Sequence, residues 1–102
     1  MGIEVRSPKT AIEWELYYDL RYRILRKPLN QPLGSEKNEG DATGMHFALY
    51  EDTQLKAIAR LDQSSENCTQ ARFVAVEENQ QGKGFGKLIM RATEEKAVEL
   101  GA

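Results

Sequence analysis

Residues 71–102 read ARFVAVEENQQGKGFGKLIMRATEEKAVELGA, and the order of apolar residues and glycines along them decides the fold. ARFVAV, residues 71–76, is a short run rich in Val and Phe, of strand length. It passes through ENQQGKGFG into a segment with Phe85, Leu88, Ile89 and Ala92 at i, i+3, i+4 and i+7, the spacing of one buried helix face. Ala97 and Leu100 extend that face at a nearby angle, and Glu94, Glu95 and Lys96 are expected to turn outward. Leu100, Gly101 and Ala102 read as a helix C-terminus, because glycine is favoured just past a helix end.

Upstream, MHFALY (residues 45–50) and LKAIARL (55–61) are apolar-rich runs separated by Glu51, Asp52 and Thr53, which predicts an antiparallel hairpin. Polar QSSENC, residues 63–68, predicts the next turn. Before the hairpin, KPLNQPLGSEKNEGDATG carries two prolines and three glycines without any period and reads as a long loop. TAIEWELYYDLRYRIL, from Thr10, places Ile12, Leu16, Leu20 and Ile24 at four-residue spacing with Trp14, Tyr17 and Tyr18 beside them. It predicts an amphipathic helix ending before Pro28. Ile3 and Val5 alternate with Glu4 and Arg6, as in a short half-buried strand. The expected order is strand, helix, long loop, three antiparallel strands, glycine loop, helix.

Composition bounds what such a chain can do. At 102 residues with 40% hydrophobic and 29% charged residues, one domain over residues 1–102 is expected, and disorder is not. Fourteen Lys and Arg against sixteen Asp and Glu give a formal charge of -2, so no overall field favours nucleic acid or an acidic membrane. One cysteine, Cys68, and one histidine, His46, are too few for an internal disulfide or a Cys/His metal site. No run approaches the roughly twenty apolar residues that span a bilayer, and MGIEVRSPKT lacks the apolar stretch of a secretory signal. Gly2 does not make a myristoylation signal, because Arg6 stands where Ser or Thr is needed. The expectation is a cytoplasmic protein with no nucleic-acid, membrane or metal partner.

The glycine loop is the chemically informative segment. The first amides of a helix lack intrahelical acceptors, and the helix dipole adds about half a positive charge there. Glycine removes the Cβ atoms that would keep a phosphate from those amides, and Lys83 and Lys87 add charge. Spacing decides among the known phosphate loops. GxxxxGK[ST] needs glycine at position 81 and Ser or Thr at 88, where Gln81 and Leu88 stand; GxGxxG needs glycine at 87 or 89, where Lys87 and Ile89 stand. Q/RxxGxG/A is met by Gln81, Gly84 and Gly86.

On that pattern and its placement, the chain resembles the GNAT N-acetyltransferase superfamily, closely over the last third and more loosely through YYDLRYRILRKPL and the hairpin. The resemblance implies an α/β (α+β) fold, with a mixed, mainly antiparallel sheet and flanking helices. It implies acetyl-CoA or coenzyme A as cosubstrate, with the backbone of Phe73, Val74, Ala75 and Val76 facing its pantetheine arm and Gln81, Gly82, Lys83, Gly84, Phe85, Gly86 and Lys87 holding its diphosphate. The acyl group would pass to a small-molecule or peptide amine, which must first be deprotonated, while a backbone amide polarises the thioester carbonyl. Members continue past this helix with a further strand, a helix and two final strands, so a truncated domain that binds CoA with little or no turnover is expected. The alternative is a non-catalytic CoA-binding or interaction module.

No catalytic residue is assigned by position. Glu77 and Glu78 are the carboxylates nearest the strand end and are weak candidates for the base, against a solvated turn. Tyr17, Tyr18, Tyr22 and Tyr50 lie on the first helix and the hairpin, and none is taken as the acid. His46 is expected to be a hydrogen-bonded strand residue, Cys68 a bystander thiol in a turn, and Trp14 and Phe73 core residues. Arg21, Arg23, Arg26 and Lys27 suit a helix C-terminus paired with Glu15 and Asp19; a substrate-carboxylate site is the other reading. Glu36, Glu39 and Asp41 are expected to be solvated, with attraction of an amine as the alternative. The outer edge of ARFVAV has no partner in the sequence that follows, so pairing with a second copy, or a loose edge, is expected.

Overall fold

The computed structural model describes residues 2–34, 37, 39–65 and 68–100. It contains β1 (Ile3–Arg6), α1 (Ala11–Arg21), β2 (Met45–Glu51), β3 (Gln54–Ser65), β4 (Cys68–Val76) and α2 (Phe85–Glu99). The four strands make one sheet in the order β1-β2-β3-β4, every neighbouring pair antiparallel. The α+β fold and the element order are those expected. Among the described residues no helix is long and apolar enough to cross a membrane.

Side chains alternate across a strand, and each face of this sheet meets its own helix. Tyr17 and Leu20 of α1 pack on Ala48, Tyr50, Ile58 and Ala75. Phe85 and Ile89 of α2 pack on Leu49, Ala57 and Ala59, flanked by Val5, Phe47, Val74 and Val76. Leu20, Leu49, Ile58 and Ile89 are fully buried, each contributing roughly 1.5–3 kcal/mol relative to exposure.

The buried stripe of α1 differs from the expected one. Ile12 and Leu16 are 68% and 50% exposed, while Tyr17, Leu20 and Arg21 are buried. The aromatic residues set the rotation: Trp14 meets Tyr17 edge-on at 5.3 Å and stacks on Tyr18 at 5.9 Å. The N-terminus is capped by Thr10, whose Oγ1 accepts from the Glu13 amide at 3.1 Å, while Glu13 Oε1 accepts from the Lys9 amide at 2.8 Å. Past Arg21 the helix widens into a π turn, Tyr22–Arg26, and tightens into a 3-10 turn, Lys27–Leu29, that takes Pro28 in its first positions.

In α2, Leu88 is 39% exposed and Thr93 is buried. Thr93 Oγ1 donates to the Met90 carbonyl at 2.7 Å, so the hydroxyl is satisfied locally and the methyl can pack inward. The turn expected at QSSENC is largely strand: β3 and β4 pair as far as Gln63↔Thr69 and Ser65↔Cys68. Cys68 thus opens β4. Its thiol, Glu36, the Glu39 side chain, Gly101 and Ala102 lie outside the described residues.

Candidate functional site

β4 carries an extra residue. Arg72 pairs with Arg60 and Ala75 with Ile58, so three steps along β4 match two along β3. This is a β-bulge, and such insertions re-aim side chains next to functional sites. Phe73 holds the distortion with φ of 54°. The bulge restores parity, because an unbroken ladder would send Ala75 to the α2 face. Phe73 is consequently not a core residue. It is half-buried on the α1 side, with the guanidiniums of Arg21 and Arg60 at 4.5 and 4.7 Å from its ring centroid.

The strand then ends in a pinned corner. The Glu77 amide donates to the Lys56 carbonyl at 2.8 Å, and the Gln81 side chain donates to the Val76 carbonyl at 3.2 Å. Arg23 forks onto Glu77, Nη1 to Oε1 at 2.7 Å and Nη2 to Oε2 at 3.0 Å, and its Nε reaches Asp19 at 2.7 Å. The Arg23 guanidinium holds the Glu77 carboxyl below its ordinary range. A carboxylate stabilised in its charged form is a weaker proton acceptor. Glu78 is exposed in a 3-10 turn, Glu78–Gln80.

Beyond that corner the loop is shaped by glycine. Gly82 and Gly84 have φ of 86° and 88°, and a Cβ on either would meet no atom within 4 Å. Gly84 is the N-cap of α2 and supplies no side-chain acceptor. The first amide drawn into the helix is that of Leu88, donating to the Gly84 carbonyl at 3.1 Å. Among the described residues, the amides of residues 82–87 donate to no other group of the chain. They border a cleft of about 360 Å³ lined by Val76, Gln81, Gly82, Gly84, Gly86 and Lys87. Exposed donors at a helix N-terminus, a lysine on the first turn and open space before them fit a phosphate-bearing ligand.

Of the residues expected here, those six come together. Phe85 contributes only backbone, since its ring lies in the core. Lys83 turns to the Gln80 side chain at 3.3 Å. Val74 and Val76 face α2, and Ala75 is buried under α1. The other sequence candidates form a separate network. His46 Nδ1 is 2.8 Å from Tyr17 Oη, and its Nε2 is 2.9 Å from the Asp41 carbonyl, making it the hydrogen-bonded strand residue expected. Desolvation pushes the Tyr17 hydroxyl well above the ordinary range, which keeps it protonated. Asp41 is not solvated: Oδ1 takes Arg21 Nη1 at 2.8 Å and Arg60 Nη1 at 2.9 Å. Sequence reasoning missed Arg60 and Asp62, paired at 2.7 Å, because a charged pair two residues apart on a strand gives no signal without the third group that buries it.

Comparison with known proteins matches residues 11–102 to the Acetyltransferase (GNAT) family model. Among solved structures, an acyl-CoA N-acyltransferase of Pseudomonas aeruginosa superposes with a TM-score of 0.79 at 21% identity over 97% of this chain and 71% of its own. A Bacillus subtilis acetyltransferase in complex with CoA gives 0.70 at 24% identity over 98% and 59%. A GNAT family acetyltransferase of Elizabethkingia anophelis with acetyl-CoA bound gives 0.70 at 17% identity over 97% and 58%. The chain thus spans 58% to 71% of the lengths of these three.

Proposed function

Because the chain belongs to the acetyltransferase (GNAT) family, we propose that it serves acyl-CoA-dependent acetyl transfer to an amine and that the described residues form its cofactor-binding part. The observation that carries this is the row of uncommitted amides at residues 82–87 above the cleft. Acetyl-CoA supplies the activated acyl group. The amides of Phe85, Gly86 and Lys87 and the Lys87 ammonium would hold its diphosphate, with the two left-handed glycines keeping side chains out of the way. Gln81, tied to the Val76 carbonyl, would fix the loop against the strand. The outer edge of β4 at residues 73–76 would supply backbone donors and acceptors to the pantetheine arm, and an amide at the bulge would polarise the thioester carbonyl. Glu77, gripped by Arg23, is better suited to bracing the corner than to proton transfer.

Titrating coenzyme A while following amide resonances tests the reading. Residues 82–88 are expected to shift saturably, and Gly84→Glu, which sets bulk and negative charge at the loop, is expected to abolish the shifts while leaving the sheet resonances in place. Unmoved loop amides in the unaltered chain would overturn it. Thiol release from acetyl-CoA with a panel of amines separates an enzyme from a non-catalytic CoA-binding module. β4 lies at the end of the strand order, which supports a second proposal that competes with the first for the same backbone groups, a homodimer through that edge. Sedimentation as a monomer with protected amides along residues 71–76 would remove it.

A further inference from the structure

A third guanidinium reaches the Phe73 ring: that of Arg26, 5.5 Å from the centroid. Its surroundings differ from those of the other two. Arg21 and Arg60 share Asp41, and Arg60 also forks onto Asp62, Nε to Oδ1 and Nη2 to Oδ2, both at 2.7 Å. The Nε–H of Arg26 is buried without an acceptor, as is that of Arg21, but Arg21 reaches Asp41 through Nη1 whereas Arg26 has no ion pair among the described residues. Among the described residues, Arg21 and Arg60 thus each meet a carboxylate and Arg26 meets none. A buried donor left unsatisfied is unfavourable, and more so on a charged group, so the Arg26 corner is incomplete as the described residues build it.

The backbone brings Arg26 here deliberately. Residues five apart on an α-helix lie about 140° apart, which would turn Arg26 away from Arg21. The Lys27 amide instead donates to the Tyr22 carbonyl, an i→i+5 bond, and that wider turn brings Arg26 towards the side of Arg21. π turns are rare and concentrate at functional sites.

We infer that Arg26, at the rim of Phe73, binds a carboxylate of the acceptor, so that the amine acylated is an acid-bearing one of amino-acid type. The inference rests on the acyl-transfer reading for its placement: Phe73 sits at the bulge, beside the strand segment proposed to hold the thioester arm, whereas the diphosphate belongs at the glycine loop beyond the other end of that segment. A planar guanidinium matches two carboxylate oxygens. Such a contact would supply the missing acceptor and give Arg26 a counter-charge.

The test is NMR of the Arg26 Nε–H, assigned by its loss in Arg26→Lys, during titration with sodium acetate, acetamide or inorganic phosphate at constant ionic strength and without coenzyme A. Acetate is expected to shift it saturably and acetamide not at all. Arg26→Lys, followed at the Phe73 amide, is expected to bind acetate about tenfold more weakly, as one charge-assisted bond is lost. No saturable shift with acetate, an equal shift with acetamide, or tighter saturation by phosphate would each overturn the inference. The same titration in Gly84→Glu keeps the two readings apart. An acetate shift in a chain whose loop ignores coenzyme A would sink only the acyl-transfer reading, and a loop that binds coenzyme A beside an unresponsive Arg26 would sink only this one.

Discussion

The Phe73 ring lies 4.7 Å beneath the guanidinium of Arg60 while its own backbone is held at a left-handed φ of 54°. Side chains with a Cβ are strained there by roughly 1–2 kcal/mol. The strain persists because the ring meets cations that are otherwise desolvated, and cation–π contacts strengthen to about 2 kcal/mol in such surroundings.

Both Phe73→Ala and Phe73→Gly should therefore destabilise the chain, with glycine the milder change by about 1 kcal/mol because it accepts the bulge conformation. An ordinary strand position gives the opposite order. Urea unfolding of the two variants decides it, and a more stable alanine variant would show that Phe73 carries no strain.

Gly44 is closed in by the same cluster. A Cβ there would stand 2.7 Å from Asp62 Oδ1 and 2.8 Å from Arg60 Cδ. Arg60 is 2% exposed and cannot swing aside. Gly44→Ala should cost about 1–3 kcal/mol by overpacking. Gly2→Ala, with open space around it, should leave the unfolding midpoint unchanged.

Arg6 and Glu13 tie β1 to α1 through a fork of 2.9 and 2.8 Å. The Arg6 guanidinium, helped by the Lys9 amide, holds the Glu13 carboxyl at about 2. A carboxyl lowered on folding stabilises the fold above the ordinary carboxylate range, and that contribution fades as pH falls towards its folded value. Acid titration should show stability lost between about pH 4.5 and 2, and Glu13→Gln should flatten that limb while lowering stability at neutral pH. An unaltered acid limb would contradict the pairing.

Tyr17 Oη joins three elements: Arg21 Nη2 donates to it at 3.1 Å, His46 Nδ1 lies at 2.8 Å, and the Ala59 carbonyl lies at 3.2 Å. Tyr17→Phe keeps the ring and removes the hub. A loss of about 1–3 kcal/mol is expected from the stranded partners, with a displaced nitrogen-15 resonance of His46 Nδ1 as the specific sign. An unmoved Nδ1 resonance would mean that the hydroxyl is not its partner.

Much of this molecule was legible from local pattern. Gln81, Gly84 and Gly86 marked the loop because left-handed turns and bare helix starts demand particular residues, and the α2 face was readable at Phe85 and Ile89. The face of α1 was misjudged because Ile12 and Leu16 outrank tyrosine in hydropathy, whereas Tyr17 is buried by a hydrogen-bond hub that exists only after β2 and β3 arrive. The β4 bulge left no trace, since ARFVAV alternates no differently with or without the extra residue; only pairing with β3 exposes it. The basic cluster of α1 was visible as charge, but its division between Arg21 and Arg23, which pair with carboxylates, and Arg26, which pairs with none among the described residues, depends on Asp41, Glu77 and a π turn. Glu15, expected as a partner, forms no ion pair among the described residues.

The two left-handed glycines give the loop its shape through backbone torsion rather than through side-chain caps. A receptor already in its final form has little ordering entropy to lose when an anion arrives. Capture would then proceed at the speed of encounter, and salt that screens Lys87 would slow arrival more than it hastens departure.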